Sequence, residues 1–160
     1  MSEPRRYRME HLVTYGETSA AGTVYFAHLI RWQGECRESF GYAHCPAYMR
    51  DLSAGRTMVT SSASCEYLGE IHAGDRIAVR LSVPWIRLHF MQGEFTFHRV
   101  QPDGDELVAR GEQLWANAHR VDGALVPAPW PAEVVRACAR FGADVSRALV
   151  HPITTTRRPR

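Results

Sequence analysis

Between Glu17 and Glu38 the chain reads ETSAAGTVYFAHLIRWQGECRE, and it carries a hydroxyl, Ser19, and a guanidinium, Arg37, both of a type that can donate to an oxygen gaining negative charge. Ser19 sits in a run of small residues, GETSAAGT, that suits a loop whose backbone turns tightly or approaches a ligand. The loop runs straight into an apolar helix. Backbone N–H groups at such a helix start have no partner within the helix and point at whatever lies in front. Donors of that kind suit a developing oxyanion. Most helices that follow glycine loops bind nothing, so composition alone is a weak pointer.

A seryl hydroxyl at position 19 can donate a hydrogen bond or position a water, but it cannot act as a base by itself. No histidine lies close in sequence; His28, His72, His89 and His98 reach it only if the fold brings them there. The plainer reading of Ser19 is a small residue at a helix start. His28 and His89 read as core or interface residues. Arg37 falls on the same mostly apolar helix, and a cation there needs a partner or a pocket, because burying a charge alone is costly. An ion pair with Glu38, Glu35 or Glu17 is the ordinary outcome. The functional one is a cation facing negative charge as it develops. Glu38 is then its orienting partner or plain helix surface.

The elements that must carry these residues follow from pattern. Tyr7 to Tyr15 mixes apolar and polar residues as a first strand does. Val24, Ala27, Leu29 or Ile30, Gly34, Cys36 and Phe40 fall near helical spacing, with Gly41 as a stop signal. His44 to Ala54, with Pro46, reads as an irregular loop. Strands are expected over Thr57–Leu68, Ala78–Ile86, Phe90–Val100 and Leu107–Val121, with turns at Pro102–Gly104 and Asp122–Gly123. Pro127, Pro129 and Pro131 break the pattern, and Pro131 to Phe141 suits a short helix. A lone apolar helix needs a covering surface. The order therefore predicts an α+β domain, a five-stranded antiparallel sheet curled around one long central helix. The expected division is a flexible start over 1–6, one domain over 7–142 and a disordered tail over 143–160.

With 160 residues, 45% of them hydrophobic, the chain has room for a real core. The formal net charge is +2, and all 19 basic residues are Arg. They are scattered apart from Arg157, Arg158 and Arg160, which argues against nucleic-acid binding. No apolar run approaches membrane-spanning length, and the charged start is unlike a secretory signal, so a cytoplasmic address is expected. Cys36, Cys45, Cys65 and Cys138 are widely and irregularly spaced, which predicts free thiols, with neither a metal site nor a disulfide framework.

The segment Glu17-Thr18-Ser19-Ala20-Ala21-Gly22-Thr23-Val24-Tyr25 resembles the signature of hot-dog-fold thioesterases. The helix that follows, LIRWQGECRE, is similar more narrowly to the acyl-carrier-protein thioesterases of enediyne polyketide clusters. CEYLGEIHAGDRIAV, from Cys65 to Val79, fits the superfamily's second and third strands around a Gly-Asp turn. The resemblance covers roughly residues 7 to 121. It implies a hot-dog fold and hydrolysis of an acyl thioester without cofactor or metal. The implied substrate is a polyketide-type chain, β-keto in some members, carried by an acyl carrier protein or a polyketide synthase. It also implies a homodimer or homotetramer with sites shared between subunits.

By the same resemblance the Phe26 backbone N–H meets the thioester oxygen, while Gly22 and Tyr25 border the substrate. The strand carrying Thr60 and Ser62 passes the acyl tunnel. Trp32, Trp85, Phe90 and Met91 are candidates to line that tunnel, with core packing as the alternative for each. Ordinary acyl-CoA members carry Asp at the position of Ser19, and the enediyne branch carries Asn there with a helix Arg, matched by Arg37. Ser19 is neither. Two alternatives follow: an acyl-CoA thioesterase of general metabolism, and a hot-dog acyl-binding protein without catalysis.

Overall fold

The computed structural model describes residues 5–148. Five strands form the main sheet: β1 (Tyr7–Leu12), β2 (Arg56–Tyr67), β3 (Arg76–Arg87), β4 (Phe90–Arg99) and β5 (Glu106–Val121). Their spatial order is β1-β3-β4-β5-β2, and all neighbours are antiparallel. The central helix α1 (Ala27–His44) lies against the concave face. Its buried residues Leu29, Trp32, Gln33, Cys36 and Phe40 recur at helical spacing, so one stripe faces the sheet. The core closes around Trp32, Phe95, Phe97, Val108 and Trp115. This is the predicted hot-dog arrangement.

Two boundaries differ from expectation. α1 does not stop at Gly41; it continues to His44, and Pro46 follows one residue after its cap. Gly41 lies under Met49, whose side chain would have to shift to admit a Cβ there, 2.5 Å from its sulfur. The stretch expected to be irregular holds a short helix, α2 (Pro46–Asp51), with Pro46 in its first turn, where its missing N–H costs nothing. Glu133 accepts hydrogen bonds from the Ala47 and Tyr48 N–H groups and caps α2 from the other side of the fold.

After β5 the Asp122–Gly123 turn, both residues at positive φ, leads into β6 (Ala124–Pro127). Then come α3 (Ala132–Arg140) and β7 (Asp144–Arg147), which pairs parallel with the end of β3. Ordered structure thus runs past residue 142, and most of the expected tail, 149–160, lies outside the described residues. All four cysteines are free, with Cys36, Cys45 and Cys138 buried.

Candidate active site

The small-residue loop is a tight turn. Ser19 N–H donates to Thr23 O at 2.8 Å, Gly22 N–H donates back to Ser19 O at 2.9 Å, and Gly22 sits at φ +81°. A side chain at Gly22 would be strained there. The Ser19 hydroxyl oxygen accepts from Ala21 N–H at 3.2 Å, which leaves its proton free to donate outward.

Glu17 anchors the loop and is no partner of Arg37. Its buried carboxylate accepts from His11 Nε2 at 2.8 Å, Trp32 Nε1 at 3.1 Å and the Thr14 N–H at 2.8 Å. Burial alone would raise its pKa, but these donors hold it down at about 2. The chain then enters α1. Among the described residues the Phe26 and Ala27 N–H groups meet no acceptor. Tyr25 and Phe26 are exposed with their rings 4.6 Å apart, and Tyr67 of β2 donates to Phe26 O at 2.9 Å.

Arg37 lies about three turns, or about 16 Å, further along α1. It is half-buried and donates to Thr60 Oγ1 at 3.0 Å and to Gln113 Oε1 at 3.2 Å. Its guanidinium stands 5.6 Å from the Trp115 ring. None of the expected carboxylates pairs with it among the described residues: Glu38 is exposed, Glu35 is taken by Arg31, and Glu17 by His11. Burial pulls its pKa below the ordinary value, and the fields of Glu38 and Tyr48 oppose that shift. The Arg37 Nε is buried without a partner. Thr60 stands just before a bulge that leaves Ser61 unpaired, and Ser62 follows it, exposed on β2.

Arg37 also borders a small apolar pocket between α1 and the sheet, a cavity of about 40 Å³. Phe40, Met49, Met58, Met91 and Trp115 form its walls, and Trp130, Val134 and Cys138 close its far end. Of the aromatic and Met candidates named from sequence, only Met91 lines this pocket. Trp32 is fully buried on Glu17, while Trp85 pairs with Arg87 and Phe90 stacks on His89.

The structure therefore joins Arg37 with Thr60, and Ser19 with Gly22 near the start of α1, but it does not join the two groups within one protomer. Sequence reasoning missed Gln33 and Gln113, both buried polar residues. On β5, Gly111, Gln113, Trp115 and Asn117 alternate onto the buried face, and a polar residue in such a set is the signal that marks them.

The sequence matches the thioesterase-like superfamily over residues 13–138. The chain belongs to that superfamily. As a hot-dog thioesterase it is a thioester hydrolase, the enzyme class expected from the sequence. A solved dynemicin thioesterase, studied for polyene binding, superposes with a TM-score of 0.83 at 36% identity. That match covers 91% of this chain and 99% of the other. A 1,4-dihydroxy-2-naphthoyl-CoA hydrolase of Thermosynechococcus vestitus is 25% identical over 126 residues, 77% of this chain and 84% of the relative. The corresponding hydrolase of Prochlorococcus marinus is 23% identical over 121 residues, 71% of this thioesterase and 78% of the relative. No helix among the described residues is long and apolar enough to cross a membrane.

Proposed function

We propose that this thioesterase releases a polyketide-type acyl chain from an acyl carrier protein or polyketide synthase, with Arg37 as the cation that polarises the reacting carbonyl. The observation that carries the reading is an uncompensated guanidinium at the edge of an apolar pocket. Such a pair suits an acyl chain whose apolar part enters the pocket while its oxygens meet the charge. A β-keto group beside the thioester would share the same cation. Likeness to the dynemicin thioesterase at 36% identity supports the polyketide context.

In the proposed step a water oxygen adds to the thioester carbon and the C–S bond breaks, giving a carboxylic acid and the carrier thiol. The Phe26 N–H receives the oxyanion, and the Ser19 hydroxyl shares that load or holds the water. Ser19 needs no base for this role. Glu38 is left as a field on Arg37 from the helix surface. Gly22, Tyr25, Thr60 and Ser62 border the substrate.

Because Arg37 and Phe26 lie about 16 Å apart along one helix, the reading requires a second copy to bring Arg37 and Thr60 to the first copy's loop. β2 ends the sheet and carries exposed residues from Thr60 to Ser64 on an unpaired edge. Such an edge invites pairing with another chain. The proposed assembly is a homodimer or a homotetramer built from such dimers.

A second reading, an acyl-CoA thioesterase of general metabolism, draws on the CoA-hydrolase names of the two sequence relatives. Ser19 weighs against it, because a hydroxyl cannot replace the acidic residue of that branch. Thiol release should be measured with one acyl group on carrier protein and on CoA. Arg5 and Arg6 lie near the described start, and Arg157, Arg158 and Arg160 lie in the tail. They can steer an acidic carrier protein, whereas Arg8 is already paired with Glu10 and Asp105. The expected result is faster turnover of the carrier-bound substrate, with an advantage that shrinks as salt rises. Equal rates at every salt concentration would reject the carrier protein as partner, and no hydrolysis of either substrate would favour a non-catalytic acyl binder.

A further inference from the structure

Among the described residues Arg37 has two acceptors, and both are neutral. One is the Thr60 hydroxyl; the other is the side-chain amide of Gln113, which is fully enclosed. Gln113 Oε1 also accepts from Trp115 Nε1 at 2.6 Å, and Gln113 Nε2 donates to Gln33 Oε1 at 3.0 Å. Gln33 Nε2 in turn donates to Ser64 O at 3.0 Å. The relay begins at a guanidinium and ends at a peptide carbonyl of β2. It fixes both amides in one orientation: flipping Gln113 would set its NH₂ against two donors.

The surroundings are shaped for this relay. A Cβ at Gly111 would lie 2.1 Å from Gln33 Nε2, so only glycine leaves room for that amide. A Cβ at Gly93, opposite Gln113 on β4, would lie 2.2 Å from the Trp115 ring. A glutamate has nearly the shape of a glutamine, and at position 113 it would give the half-buried cation a counter-charge. The chain carries the neutral amide there instead.

We propose that Gln113 is a positioning residue whose neutral amide holds Arg37 in place while leaving its charge free for the substrate. This rests on the reading of Arg37 as the polarising cation. Gln113 itself touches Arg37, Trp115 and Gln33 and acts through the first of these.

The test uses Gln113→Glu in the full chain, with Arg37→Ala assayed beside it. The introduced carboxylate would pair with Arg37 and quench its field. We expect kcat to fall on the order of 100-fold with KM nearly unchanged, and thermal stability to fall as well, since a carboxylate offers Gln33 Oε1 no donor. The loss should persist from about pH 8 to about pH 5, since a carboxylate paired with Arg37 stays ionised throughout that range. Few other groups near position 113 change charge in that range. Arg37 faces it from α1, Thr60 and Ala63 from β2, and Gly93 from β4, while Tyr48 on α2 is pushed up by burial and stays neutral.

If the Gln113→Glu chain does not fold, Gln113→Met provides the second reading. It keeps the volume, removes the acceptor and should lower kcat about 10-fold with KM nearly unchanged. A folded Gln113→Glu or Gln113→Met variant with wild-type kcat, beside an impaired Arg37→Ala, overturns the assignment of Gln113 alone. An Arg37→Ala variant with wild-type kcat overturns the reading of Arg37, and the role of Gln113 falls with it.

Discussion

Arg37 donates to Thr60 Oγ1 at 3.0 Å and to no carboxylate among the described residues. Helix α1 and the bulged part of β2 are thereby tied together by a charge that is paired with no carboxylate among the described residues. The reading of this thioesterase follows from that pair.

Ser19 should matter less than the cation. Its hydroxyl shares an oxyanion or holds a water, so Ser19→Ala is expected to cost about 10-fold in kcat. Ser19→Asn, which restores the enediyne-type residue, should retain or raise the rate. Mass spectrometry during turnover should find no acyl group on the protein. A trapped acyl-Ser19 would make Ser19 the nucleophile instead.

Glu17 is expected to control stability and not chemistry. Its pKa in the folded protein, about 2, lies below the ordinary carboxylate value of 4.5. That difference stabilises the fold above about pH 4.5 and is progressively lost as pH falls toward 2. Glu17→Gln should lower the unfolding free energy by on the order of 2 kcal/mol at neutral pH, since it weakens charge-assisted hydrogen bonds. Its acid-induced loss of stability should be smaller than that of the wild type. Denaturant melts at pH 7 and pH 3 would check both.

Gly93 should tolerate no side chain. The added methyl of Gly93→Ala would press on the Trp115 ring, which is only 2% exposed and bonded to Gln113. A loss of about 1–3 kcal/mol is expected. Kcat should fall as well, because moving Trp115 moves the acceptor of Arg37. Urea melts and steady-state kinetics on the same preparation would report both.

Assembly is expected to be at least dimeric. The open edge of β2 and the separation between Ser19 and Arg37 both call for a second copy. Light scattering at micromolar concentration should give a mass of two or four chains, and a monomer mass with full activity would contradict the shared site.

Much of the fold was legible because its signals are local. Alternation marked β3 to β5, and Pro102–Gly104 and Asp122–Gly123 marked real turns. α2 was hidden because Pro46 reads as a breaker, although proline is compatible with a first helical turn. Gly41 reads as a stop, yet its role is contact with Met49, a partner that sequence spacing does not reveal. The loop with Ser19 and the helix with Arg37 were both visible. Their separation follows from the helical rise between Phe26 and Arg37 only once α1 is known to run unbroken from Ala27 past Arg37. Gln33 and Gln113 escaped because a buried amide declares itself only through its partners, 31 residues away at Ser64 and 80 residues apart from each other.

The most direct test of the account is the hydrolysis rate of folded Arg37→Ala on an acyl-carrier-protein substrate. Circular dichroism and a thermal melt should first establish that the variant keeps its fold. The account predicts a loss of on the order of 100-fold or more in kcat, larger than that of Ser19→Ala. A folded Arg37→Ala variant that hydrolyses the thioester at the wild-type rate would contradict it.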